Sequence, residues 1–131
     1  MKTLFATVTA LLLLPVAVRA QDPEAGAALY AQHCAVCHGL EGRGNGPPAP
    51  ALLLQPPSLR DLARRHDGFP TRRVVMRIDG SDPLVSHGSP MPVYGEFFAG
   101  DETVLKVETG QPMMTSRAIV DLVAYLREVQ E

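Results

Sequence analysis

The chain has 131 residues, with 12 basic and 14 acidic side chains, a formal charge of −2 and no tryptophan. That length fits one domain, and the near-balanced charge gives no footprint for a nucleic-acid partner. Two cysteines are too few for a disulfide scaffold, while twelve prolines and eleven glycines make a loop-rich chain with a modest core.

Residues 1–20 read as a secretory signal: Lys2, an apolar run from Leu4 to Val18, then Val18-Arg19-Ala20 as a small-residue cleavage site. The run is short for a membrane span, which needs about 20 residues, and Pro15 interrupts it. Arg19 just before the cut is unusual, so an uncleaved anchor stands as the alternative. Cleavage removes Lys2 and Arg19 and no acid, which leaves residues 21–131 as one domain with 10 basic and 14 acidic residues and a formal charge of −4.

Asp22-Pro23-Glu24 opens the first helix, with Asp22 as N-cap, Pro23 at the first helical position and Glu24 at the positive end of the dipole. The helix is expected to reach about His33, with Ala25, Ala28, Leu29 and Tyr30 on its apolar side. Gly26 costs about 1 kcal/mol against alanine inside a helix. It therefore points to close approach by another helix, against the plainer reading of simple tolerance.

Cys34-Ala35-Val36-Cys37-His38 follows, and the rest of the chain is organised around it. Two cysteines three apart with a histidine directly after the second form the attachment motif for a covalent c-type haem. Each thiol adds to one vinyl group of the porphyrin, and the adjacent imidazole meets the iron from the proximal side. A thioredoxin-like site would want a βαβ pattern, a zinc site a second ligand pair, and a plain disulfide no histidine. A large flat haem also supplies apolar surface that the side chains lack.

Residues 39–50 carry a turn signal at almost every step and cannot form regular structure. The glycines lack the Gly-Lys-Ser/Thr and preceding strand of a phosphate loop. The loop is expected instead to present a carbonyl, from Pro47 or Pro48, to the ring N–H of His38. Ser58 and Asp61 suggest a capping box for a helix over residues 59–66. Thr71 is placed to cap another, with Val74, Val75 and Ile78 inward and Gly80 ending it. Arg60, Arg64, Arg65, Arg72, Arg73 and Arg77 crowd this third of the chain. They are either a solvated face or a set meeting haem propionates or an acidic partner.

His87-Gly88-Ser89-Pro90-Met91-Pro92-Val93-Tyr94-Gly95 is a second Pro/Gly-rich loop with a polarizable sulfur at its centre. Residues 103–109 alternate weakly, Gly110-Gln111-Pro112 turns the chain, and residues 112–115 pair back in a small β-hairpin. The last helix is capped by Thr115 or Ser116. Ile119, Leu122, Val123, Leu126 and Val129 form its inner face, and Asp121, Arg127, Glu128 and Gln130 the other. Tyr125 is spaced to lean on the glycine-bearing first helix.

Gly26 and Tyr30 before Cys34-x-x-Cys37-His38, the Pro-flanked Met91 and the terminal Leu122-x-x-Tyr125-Leu126 together resemble the small class I c-type cytochromes. The resemblance covers the chain from about Asp22 to Glu131. It implies an all-α, cytochrome c-like fold, with N- and C-terminal helices crossing and further helices wrapping one covalent haem c. It implies thioether roles for Cys34 and Cys37, the proximal iron ligand at His38 and the distal one at Met91. Met113, Met114 and His87 compete for the distal role, whereas Met76, His33 and His66 read as packing, surface or capping side chains.

The function implied is single-electron transfer between a redox donor and acceptor in the periplasm, without catalysis. The alternatives are a haem subunit of a larger dehydrogenase or reductase, and a haem catalyst or gas sensor with a displaceable sixth ligand. The chain departs from the family pattern between Tyr94 and Thr115, where about twenty residues, the hairpin among them, precede the last helix.

Overall fold

The computed structural model describes residues 20–84 and 88–131. The expected export signal, Ala20 apart, and His87 lie outside them. Five helices and one two-stranded sheet are described: α1 (Pro23–His33), α2 (Ala35–His38), a 3-10 turn (Ala49–Ala51), α3 (Leu62–Arg65), α4 (Thr71–Asp79), β1 (Glu102–Lys106), β2 (Pro112–Ser116) and α5 (Arg117–Glu128).

α1 begins as its sequence requires. The Asp22 side chain accepts from the backbone N–H groups of Glu24 and Ala25 at 3.1 and 3.0 Å, and Pro23 supplies the first turn. Gly26 is the contact with α5. A Cβ there would collide with the Asp121 carbonyl and lie 3.0 Å from the Tyr125 Cβ, so a bare backbone is what lets the two helices touch. Tyr30 and Tyr125 pack tilted across the same seam, with ring centroids 5.2 Å apart. Tyr30, Val75, Leu105, Ile119, Leu122 and Val123 form the centre of the core and are almost wholly buried. Ala28, expected on the apolar side, is exposed.

The polar face expected for α5 is not all polar surface. Asp121 is buried, and its Oδ1 accepts the Asp22 N–H at 2.9 Å, joining the start of α1 to α5. Arg127 donates to the Thr71 hydroxyl at 2.6 Å and lies over the Phe69 ring at 5.6 Å. Thr71 is thus taken up by α5 instead of capping α4. It is itself the first residue of that helix, after Pro70. Gly80 ends α4 in the left-handed conformation, at φ 85°.

α3 is shorter than the expected span of 59–66. The Ser58 hydroxyl accepts from Arg60 N–H at 3.3 Å, which makes a local turn rather than a helix cap. The helix starts three residues later, and the side-chain oxygen of Gln130 accepts the Ala63 N–H at 2.9 Å. The last residues of the chain therefore cap α3 from outside it, and Gln130 also donates to the Leu59 carbonyl at 2.7 Å.

The hairpin is present, antiparallel, with Val104 opposite Met114 and Leu105 opposite Met113. Leu105 points into the core, while Val104 and Met114 face outward. α5 follows directly, with the Ser116 hydroxyl accepting from Ile119 N–H at 3.4 Å. Packing of both strands on α5 supplies the support that an isolated hairpin lacks.

Candidate haem-binding site

α1 and α2 run almost into one another, because Cys34 N–H still donates to the Tyr30 carbonyl at 2.9 Å. His38 N–H then returns to the Cys34 carbonyl at 2.9 Å, so Cys34, Cys37 and His38 sit within one turn. All three side chains line a single cavity of about 500 Å³. Leu59, Leu62, Val74, Ile78, Leu122 and Leu126 give that cavity its apolar walls. Its volume lies within the roughly 300–1,000 Å³ usual for cofactor sites. Two thiols, one imidazole and a greasy wall are the donor set and surface that suit a covalently held porphyrin.

His38 is buried, and its Nδ1 lies 3.2 Å from the Pro57 carbonyl oxygen. A carbonyl only accepts, so Nδ1 carries the hydrogen and Nε2 keeps its lone pair. Burial lowers the imidazole pKa, with the Pro57 hydrogen bond as the smaller, opposing influence. The neutral ring that results is the form that ligates metals. Burial, and next the neighbouring Cys37, push the Cys34 thiol up to about 11.

The acceptor for His38 is Pro57 and not Pro47 or Pro48. The loop over residues 39–50 turns its N–H groups, rather than its carbonyls, towards α2: Gly44 N–H donates to the His38 carbonyl at 2.8 Å and Gly46 N–H to the Cys37 carbonyl at 3.0 Å. A Cβ on Gly46 would strike the Val36 and Cys37 carbonyls, which accounts for a glycine there. The buried hydroxyl of Tyr30 closes the other side by donating to the Gly39 carbonyl at 2.6 Å.

Among the described residues, Met91 is the methionine on the cavity wall. Met113 packs partly buried against the core, Met114 is exposed on the hairpin, and Met76 of α4 is not among the lining residues. The Ser89 hydroxyl accepts the Met91 N–H at 3.2 Å, and Tyr94 N–H donates to the Ile78 carbonyl at 2.8 Å. The methionine loop is thus tied to the end of α4. Gly95 fits against the Asp79 carbonyl, where a side chain would not.

His33 and Tyr94 are among the lining residues that were not anticipated. His33, expected at the surface, is on the wall, edge-on to Phe97 and Phe98 with centroids 4.9 and 5.5 Å away. Tyr94 is on the wall and stacks on Phe98 at 5.4 Å. A signal existed in the spacing Tyr94-x-x-Phe97-Phe98, which puts three rings on one turn. Phe98 N–H does bond the Tyr94 carbonyl, at 2.9 Å. His66 is exposed, as expected.

The arginines divide. Arg60 pairs with Glu131 at 2.7 Å, and Arg64 and Arg65 share Asp61 at 3.4 and 2.9 Å. Arg65, Arg73 and Arg77 line the cavity, and Arg77 also meets Asp82 at 3.3 Å.

Residues 23–130 match the family model for Cytochrome c. The chain belongs to the cytochrome c family. Membership brings a covalently bound haem c and one-electron transfer between redox partners. No curated protein matches this cytochrome c. Among its described residues, no helix is long and apolar enough to cross a membrane. The helices and the hairpin are compatible with the cytochrome c-like fold that the sequence suggested.

Proposed function

We propose that this cytochrome c is a periplasmic monohaem carrier that passes single electrons between a donor and an acceptor protein and catalyses no reaction of its own. The observation that carries the reading is the shared cavity, with Cys34, Cys37, His38 and Met91 all on its wall.

Haem c supplies the one-electron chemistry when bound. Cys34 and Cys37 carry its thioether links. His38 is the proximal ligand, presented in the right tautomer by Pro57. Met91 is the distal ligand, on a loop that Pro90 and Pro92 stiffen. A neutral thioether favours the ferrous state and raises the potential relative to a second histidine. Met91 held against the iron would leave no open position for a substrate and little to rearrange when an electron is gained or lost. Residues 1–20 serve as a cleaved export signal, leaving residues 21–131 as the working domain.

Acid-acetone extraction tests the attachment. The haem should stay on the polypeptide, and replacing both Cys34 and Cys37 by alanine should release it. Haem extracted from the unmutated protein overturns the reading. The mass of the native protein should correspond to a chain starting near Gln21 plus one haem, and an intact N-terminus in the membrane fraction would favour the anchored form instead.

A further inference from the structure

The loop that carries Met91 is fastened to the rest of the protein at Tyr94, three residues further on. Tyr94 holds it in two directions. Its backbone N–H donates to the Ile78 carbonyl on α4 at 2.8 Å. Its hydroxyl donates to the His33 carbonyl at 3.0 Å. His33 is the last residue of α1 and directly precedes Cys34. The hydroxyl bond therefore spans 61 residues of sequence and connects the methionine loop to the backbone of the attachment segment.

The ring between these two bonds is itself fixed, stacked on Phe98 and lining the cavity beside Met91. Next to Met91 itself the described contacts are local. Pro90 and Pro92 have no N–H to give, and the Ser89 hydroxyl makes only a local turn with Met91 N–H at 3.2 Å. A neutral thioether is a weak ligand, so its hold depends on how well the loop is kept in place when sulfur and iron part.

We propose that Tyr94 is the positioning residue for the distal ligand, its hydroxyl on the His33 carbonyl clasping the Met91 loop to the haem-attachment segment and so setting how readily the sixth position opens. The inference rests on the reading of Met91 as distal ligand. Losing the hydroxyl leaves the ring, the stack on Phe98 and the bond to Ile78, so the fold survives while the loop swings away more often. Tyr94 thus tunes access to the sixth position through the loop that carries Met91, not by ligating the iron itself.

The test is a titration of the ferric holoprotein with imidazole, which binds where the distal ligand has let go. Tyr94→Phe should tighten apparent imidazole binding by about fivefold, the effect of losing one neutral hydrogen bond that couples to ligation. In a Met91→Ala background, which binds imidazole tightly whatever residue 94 is, Tyr94→Phe should change nothing. The proposal is overturned if Tyr94→Phe leaves imidazole affinity unchanged while Met91→Ala raises it, an outcome that keeps Met91 as ligand. It is equally overturned if Tyr94→Phe has the same effect in both backgrounds, because the hydroxyl then acts on general packing. If Met91→Ala itself changes neither the spectrum nor the affinity, the reading of Met91 fails and the clasp with it.

Discussion

Nδ1 of His38 donates to the carbonyl of Pro57 at 3.2 Å, across 19 residues of chain and inside an apolar cavity wall. That bond fixes the tautomer, and burial holds the ring neutral by lowering its pKa. The consequence for stability has a definite sign. A folded-state pKa below the unfolded one gives stability that is fully present above the ordinary imidazole value, about 6.5, and is lost as pH falls towards the folded value. Denaturant unfolding of the haem-free polypeptide, in which no iron competes with the proton at Nε2, should give a constant midpoint above pH 7 and a falling one below about 6.5. A midpoint that rises on mild acidification would show that His38 gains, rather than loses, from a proton in the folded state.

Met91→Ala should lower the potential and open the sixth position, so that carbon monoxide binds the ferrous protein. The thioether links and His38 remain, and the fold with them. Met113→Ala and Met114→Ala should leave the visible spectrum unchanged, because neither side chain lines the cavity. Met113→Ala should still lower stability, since that residue packs against the core. A Met91→Ala protein that keeps a low-spin, sulfur-ligated spectrum would move the ligand role elsewhere.

Arg73 is exposed, lines the cavity and has no ion-pair partner among the described residues, whereas Arg65 and Arg77 are each paired with a carboxylate. Its charge is thus the least compensated at the cavity edge. Reduction of the ferric protein by ferrocyanide, an anionic reagent, should slow as salt is added, and Arg73→Glu should slow it further and flatten the salt dependence. A rate indifferent to both would leave these arginines without a steering role.

Gly26→Ala should destabilise the protein even though alanine is the better helix former by about 1 kcal/mol. The new Cβ meets a backbone carbonyl, that of Asp121, which cannot rotate away as a flexible side chain would. Forcing α1 off α5 costs about 1–3 kcal/mol or more, so the clash outweighs the propensity gain. The midpoint of chemical denaturation measures it, and a Gly26→Ala midpoint equal to or above the parent would mean that the helices separate freely.

What the sequence determined by itself was local. The Asp22 cap and Pro23 start α1, Ser116 starts α5, and Cys34, Cys37 and His38 fall within a single turn, so their chemistry is written in five consecutive residues. The hairpin around Gly110 was legible for the same reason, since its partners are close in sequence. The tertiary structure decided each choice whose partner lies far along the chain. Pro57 rather than Pro47 or Pro48 receives His38, because the nearer loop turns its N–H groups to α2. Asp121 is buried because Asp22, 99 residues away, brings it an N–H, and without that donor a polar α5 face would be the cheaper arrangement. α3 starts late because Gln130 caps it from the end of the chain, and Tyr94 reaches the His33 carbonyl only once α1 and the methionine loop are side by side. A polar group's burial depends on a donor or acceptor being delivered to it. Where that delivery spans most of the chain, periodicity and capping rules carry no trace of it.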